Sequence, residues 1–256
     1  MSLPRRYTTE ALVLRHMDYG EADRILTLYT LAQGKVHAIA KGIRRSRSRS
    51  SGHLDLFTRS TVLIARGRNL DIVSQAQSLE HFSGLRTDLV ASGYAHYAAE
   101  LLDSFAPDHL PNRELYALQL STLRMLDSGA SPIQVRAFEL VLLDISGYRP
   151  QLHACLSCGK PVVPEANQFS VAMGGILCAD CRGQDPQAKD ISVAALKLLR
   201  NLQTHPDKVI RLQSMERNVG REIERRLHEY IAYRLEKRLK SIDVLARIDT
   251  RLAVVR

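Results

Sequence analysis

The chain has 256 residues and a mass of 28.7 kDa, more than a single typical domain of about 100–200 residues needs. Hydrophobic residues are 45% and charged residues 25% of the chain, the balance of a soluble globular protein, which excludes wholesale disorder. Lysine and arginine number 36 against 27 acids, a net charge of +9, which favours a polyanionic partner, nucleic acid first and an anionic membrane second. No window approaches the ~18 apolar residues of a spanning helix. The N-terminal MSLPRRYTTE has no apolar stretch behind its arginines, so the expectation is a cytoplasmic protein without a signal peptide or a membrane partner.

The charge is polarised. Residues 1–84 carry a net +6, residues 85–150 a net −3 and residues 151–256 a net +6. The first of these regions reads as short strands separated by turn chemistry. Ala11–Arg15 and Arg24–Thr30 flank a turn at Asp18-Tyr19-Gly20, and Lys35–Lys41 alternates at strand period. Ser60–Ala65 and Leu70–Ala76 are joined by Arg66-Gly67-Arg68-Asn69, which suits a hairpin. Five strands in this length predict a small closed barrel, of OB type in preference to SH3-like, because closure removes exposed edges. Between strands three and four lies KGIRRSRSRSSG, with Lys41, Arg44, Arg45, Arg47 and Arg49 and no acid. Its serines predict a solvated basic loop outside the core, and within a basic domain that loop is a better nucleic-acid contact than a mere solubilising linker.

From about residue 86 the period changes to that of helices. One is expected to end at Ala106-Pro107, a second to start at Asn112, and a third to start at Ser131-Pro132 and stop at Gly147. Beyond the cysteines, Ser192–Leu202 and one long stretch over about Ser214–Ser241 are predicted helical, the latter with an apolar stripe every four residues. The expected architecture is therefore multidomain α+β: a barrel domain over 1–84, a helical bundle in two parts over 85–150 and 185–256, and an inserted module over 151–184.

That module holds all four cysteines, Cys155-Leu-Ser-Cys158 and Cys178-Ala-Asp-Cys181. Two such pairs at this separation let four thiolates converge on one structural Zn²⁺ with no open position for water. Disulfides suit a reducing compartment poorly, and a redox motif needs one pair rather than two. Catalytic signatures are missing: there is no phosphate-binding G-x-x-x-x-G-K-[ST] loop and hence no nucleotide cofactor, no H-E-x-x-H and no deaminase motif. No catalytic residue is assigned, and a non-enzymatic binding protein is expected. A zinc-dependent nuclease and a zinc-ribbon interaction scaffold are the competing readings.

The chain resembles the RecO family of bacterial recombination mediators along nearly its full length. The resemblance is carried by Gly20-Glu21, Asp23-Arg24, Gly34-Lys35, and Ala40-Lys41-Gly42 running into Arg44, Arg45, Ser46 and Arg47, then Gly52 and Phe57. It continues in Phe138-Glu139-Leu140, Leu142-Leu143, Gly147-Tyr148, Pro150, Leu152, the two cysteine pairs and, between them, Phe169-Ser170 and Gly174-Gly175. It implies an OB-type barrel, a helical C-terminal domain and an embedded zinc module. It further implies binding of single- and double-stranded DNA, annealing of complementary strands, and action with RecR to load the RecA recombinase onto strands coated by single-strand-binding protein. The candidate DNA contacts are Lys35, Lys41, Arg44, Arg45, Arg47 and Arg49; the candidate zinc ligands are Cys155, Cys158, Cys178 and Cys181.

Overall fold

A computed structural model describes residues 5–46, 48, 50–129, 131–206 and 216–254, with side chains up to residue 248. Arg47 and Arg49 lie outside the described residues. In chain order the elements are β1 (Arg6–Tyr19), β2 (Asp23–Thr30), β3 (Gly34–Ala40), β4 (Arg59–Ala65), β5 (Asp71–Glu80), α1 (Gly84–Thr87), α2 (Leu89–Phe105) and α3 (Arg113–Asp127). They continue with α4 (Pro132–Ile145), β6 (Asn167–Ser170), β7 (Gly175–Leu177), β8 (Lys189–Ile191), α5 (Val193–Thr204), α6 (Arg217–Leu235) and α7 (Lys240–Val254). Two compact units result, one of residues 1–130 with 240–256 and one of residues 131–239.

In the first unit the five strands close into a barrel of order β1-β2-β3-β5-β4, with β3 and β5 parallel and the other neighbours antiparallel. That order is the OB arrangement and excludes the SH3-like alternative. Strand alternation sends Leu26, Leu28, Val36, Ala38, Val62 and Ile64 into the barrel, all fully buried. β1 runs longer than its apolar run suggests because it serves two partners. Its first half pairs with β4 and its second with β2, and the register shifts between Val13 and Arg15, a bulge that bends one strand around the closing barrel.

Helix starts follow local capping chemistry. Asp88 accepts from the N–H groups of Val90 and Ala91 to open α2. Asn112 does the same for α3 with Glu114 and Leu115. α3 is fastened to the barrel by ionic contacts: Arg124 donates to both Glu80 oxygens at 2.8 Å, while Arg59 pairs with Glu10 at 2.8 Å and with Glu80 at 3.5 Å. The single long helix expected near the C-terminus is two. α6 stops at Leu235, where Glu236 adopts a left-handed conformation (φ +51°), and α7 begins anew at Lys240. The expected start at Ser214 lies outside the described residues. α7 belongs with the first unit: Glu100 of α2 caps it, accepting from the N–H groups of Lys240 at 3.0 Å and Ser241 at 2.8 Å. A Cβ at Gly93 would stand 2.9 Å from Leu245 and Ile248, so the absent side chain is what lets α7 approach α2.

In the second unit, helices α4, α5 and α6 pack together with a small sheet of order β7-β6-β8. Ser131 and Pro132 open α4 as expected, with Gln134 Oε1 accepting from the Ser131 N–H at 2.9 Å. Buried among the helices is an ionic cluster: Arg136 lies 3.2 Å from Glu139 and donates to His228 Nε2 at 3.0 Å.

Candidate nucleic-acid interface and metal centre

The basic segment leaves β3 at Lys41. Contrary to the expectation of a loop held wholly outside the core, its root is folded into the barrel: Ile43 is buried in the core cluster, because Asp23 and the β1–β2 turn fix the backbone on either side of it. Asp23 Oδ1 accepts from the Gly42 N–H at 2.7 Å, and the Ala22 carbonyl accepts from the Arg44 N–H at 2.9 Å. Gly42 sits at φ +65°, a conformation that favours glycine. With Ile43 turned inward, Lys41, Arg44 and Arg45 are exposed together.

Their charges are not equally available. Arg44 Nε lies 3.4 Å from Asp18, a carboxylate that also accepts from Arg24 Nε at 3.0 Å. The hydrogen bond from Arg24, reinforced by the charge of Arg44, holds Asp18 below the usual carboxylate range. Arg24 in turn approaches Asp55 at 3.9 Å, and Asp55 pairs with Arg86 at 3.0 Å. An alternating ladder of charge thus runs from the basic turn across the barrel to α1.

Lys35 does not join this group. It stands six residues up β3 from Lys41, a span of about 20 Å at ~3.3 Å per residue. Its ammonium donates to the Asp103 carbonyl at 2.7 Å and pairs with Asp103 at 3.3 Å and Asp108 at 3.2 Å, leaving the side chain only 12% exposed. Lys35 ties the barrel to the end of α2, and its charge is balanced before any ligand arrives. The participants missed from sequence are Asp18, Asp23 and Asp55, whose roles depend on partners at least 19 residues away for Asp23 and 31 for Asp55.

The cysteine module is built from two knuckles. After Cys158 the chain turns at Gly159 (φ +72°), whose N–H donates to the Cys155 carbonyl at 2.9 Å; the second knuckle is closed by the Cys181 N–H donating to Cys178 at 3.0 Å. All four Sγ atoms lie within 4.8 Å of one another. Cys158 and Cys178 are 3.8 Å apart, against the edge of about 3.8 Å that follows from four Zn–S bonds of ~2.3 Å in a tetrahedron. The donor set therefore fits a thiophilic ion. Burial pushes the Cys155 thiol up, but the backbone hydrogen bonds from Cys158, Cys178 and Ser157 pull it further down, to about 6. Burial and the neighbouring thiols raise Cys178 and, outweighing a lowering hydrogen bond with Ser157, Cys181; Cys155 is therefore the first of these three to lose its proton. Among the described residues this is the one group of His, Cys, Asp and Glu side chains close enough to hold an ion. No described helix is long and apolar enough to cross a membrane.

Residues 1–82 match the family model described as Recombination protein O N terminal, and residues 86–243 match Recombination protein O C terminal. A DNA repair protein RecO of Roseiflexus sp. (strain RS-1) is 42% identical over 242 residues, 94% of this chain and 85% of the relative. A protein of that name from Dehalococcoides mccartyi (strain ATCC BAA-2266 / KCTC 15142 / 195) is 37% identical over 253 residues, 97% of this chain and 100% of the relative. Another, from Desulforudis audaxviator (strain MP104C), is 38% identical over 245 residues, 95% and 98% of the two chains.

Proposed function

The chain belongs to the recombination protein O family of DNA repair and recombination proteins, and from that premise we propose that it acts on DNA as a mediator without a catalytic step. It binds single and double strands through their phosphates, anneals complementary strands and, with RecR, helps load the RecA recombinase onto strands coated by single-strand-binding protein. The observation that carries this reading is the exposed cluster of Lys41, Arg44 and Arg45 at one end of an OB barrel, continued in sequence by Arg47 and Arg49. Cations read phosphates and not base edges, as a sequence-independent mediator requires. Two strands held on one cationic surface repel each other less, so annealing needs no reacting side chain.

The four cysteines are proposed as ligands of one structural Zn²⁺. A bound ion with four thiolates supplies cross-linking of the two knuckles, and the peptide N–H groups around Cys155 hold its sulfur as thiolate. A DNA partner and a reduced thiol set both suit the cytoplasm, in contact with the nucleoid.

The test is annealing of complementary strands coated with single-strand-binding protein, without ATP, comparing the wild type with an Arg44→Glu/Arg45→Glu variant. Acceleration by the wild type that the variant loses is the expected result. No acceleration by the wild type overturns the mediator reading, and cleavage of labelled strands in Mg²⁺ would replace it with a nuclease.

A further inference from the structure

A cavity of about 410 Å³ opens in the first unit between the barrel and its first two helices, lined among others by His16, Asp55, Phe57, Phe82, Arg86 and His96. Its size falls within the ~300–1,000 Å³ range of small-ligand pockets. Four of these six side chains are rings, drawn from β1, from the segment entering β4, from the start of the helical region and from α2. Phe57 is held at φ +65°, outside the ordinary conformations of a bulky aromatic residue. Its N–H donates to Val13 at 2.8 Å, and its ring meets His96 edge-on with centroids 4.9 Å apart. The barrel therefore keeps a strained backbone at the edge of this cavity; Phe57 and Phe82 are buried behind it, and the rings left accessible to a ligand are those of His16 and His96. Burial and the nearby Arg24 lower the basicity of His16.

The charge pattern selects the ligand class. Asp55 and Asp88 also line the cavity, and two carboxylates repel a phosphate; Asp55 is engaged by Arg86 and Arg24 and Asp88 caps α2 through Oδ1, so the acceptor offered to an amino group is Asp88 Oδ2. The nearest cations, Arg86 and Arg24, are engaged with Asp55. Phosphate is instead favoured at the basic turn, which the ladder Arg44–Asp18–Arg24–Asp55 connects directly to the cavity.

We propose that this cavity is a pocket for one unstacked nucleobase bearing an exocyclic amino group, taken from a single strand whose phosphates lie on the Lys41–Arg45 turn. The inference rests on the DNA-binding reading above and adds to it a site for the base itself. It gives a barrel with few exposed aromatics one place where a base can stack.

The test compares binding of a short oligodeoxycytidylate with binding of the same backbone carrying abasic residues, at fixed salt, to the wild type and to Ser92→Trp. Ser92 is half-buried and lines the cavity from α2, so the new indole fills it. The wild type is expected to prefer the base-bearing strand by about 10-fold, the effect of one stacked base. Ser92→Trp is expected to reduce that preference to less than about 2-fold and to leave affinity for the abasic strand unchanged. As a measurement independent of the variant, the His16 and His96 imidazole resonances of the wild type should shift on adding the oligonucleotide. A shift with free deoxycytidine as well makes the base alone sufficient; a shift with the strand only makes the backbone necessary. Equal affinity of the wild type for both strands with unmoved imidazole resonances overturns the pocket and leaves the DNA reading intact. Absence of wild-type binding to either strand overturns the DNA reading itself.

Discussion

Asp18→Asn tests the electrostatics of the basic turn most directly, because Asp18 restrains Arg44 while Arg24 keeps a second partner in Asp55. For single strands the slope of log affinity against log salt is about −0.7 per phosphate neutralised. With Arg44 held on Asp18, the segment offers Lys41, Arg45, Arg47 and Arg49, and the slope expected for the wild type is about −2.8. Releasing Arg44 in Asp18→Asn adds a fifth cation and steepens it to about −3.5. The carboxylate is half exposed, so the thermal midpoint should hardly move. Anisotropy titrations of a labelled oligothymidylate between about 50 and 200 mM salt span the range in which such slopes are measured, and thymidine avoids the preference expected of the base pocket. Lys35→Gln is the control: its ammonium already faces Asp103 and Asp108, so the slope should stay at the wild-type value. A slope in Asp18→Asn equal to or shallower than that of the wild type would refute the role given to Arg44; a steep slope insensitive to Arg44→Glu/Arg45→Glu would move the DNA path elsewhere.

Three other outcomes follow from the packing. Cys158→Ser removes one of four converging thiols, and metal analysis should fall from one zinc per chain to a substoichiometric value, with a lower melting temperature that chelator reproduces in the wild type. Gly34→Ala places a Cβ 2.2 Å from the Leu110 carbonyl oxygen at φ +65°, so the chain must move or strain. A loss of about 3 kcal/mol in denaturant unfolding is expected, and a loss below about 0.5 kcal/mol would contradict the close approach. His228, lowered to about 3 by burial and by Arg136, binds a proton in the unfolded chain before it does in the folded one. Its contribution to stability is therefore complete above about pH 6.5 and declines as pH falls towards about 3. Near pH 5 the loss is about 2 kcal/mol, measurable as pH-dependent melting that His228→Gln abolishes.

Much of this was legible in sequence wherever the physics is local. Strand alternation, the cap at Asn112, the helix start at Ser131-Pro132 and the two cysteine pairs each involve residues within a few positions of one another. The barrel and the thiol cluster emerge from them directly. What could not be read depends on contacts between distant residues. The start of α7 is capped by Glu100, 140 residues earlier in the chain, so nothing near Lys240 announces that the last helix returns to the first unit. Lys35 has strand neighbours that say nothing of Asp103 or Asp108, and by charge alone it is indistinguishable from Lys41. Ile43 sits within a cationic, serine-rich run and reads as solvated, yet the hydrogen bond from the Gly42 N–H to Asp23 turns it into the core.

The same acids give the basic turn its working character. Five cations without carboxylates nearby would repel one another and present no defined surface. Asp23 fixes the turn through its backbone, and Asp18 fixes Arg44 through its side chain. The orientation comes with a smaller share of Arg44 available to phosphate. For a protein proposed to hold strands and then pass them on, that balance is an asset, because a weaker phosphate grip shortens residence on each strand while electrostatic steering preserves the rate of encounter. On this account Asp18→Asn should bind single strands more tightly and yet anneal them with slower turnover, the added grip acting on release.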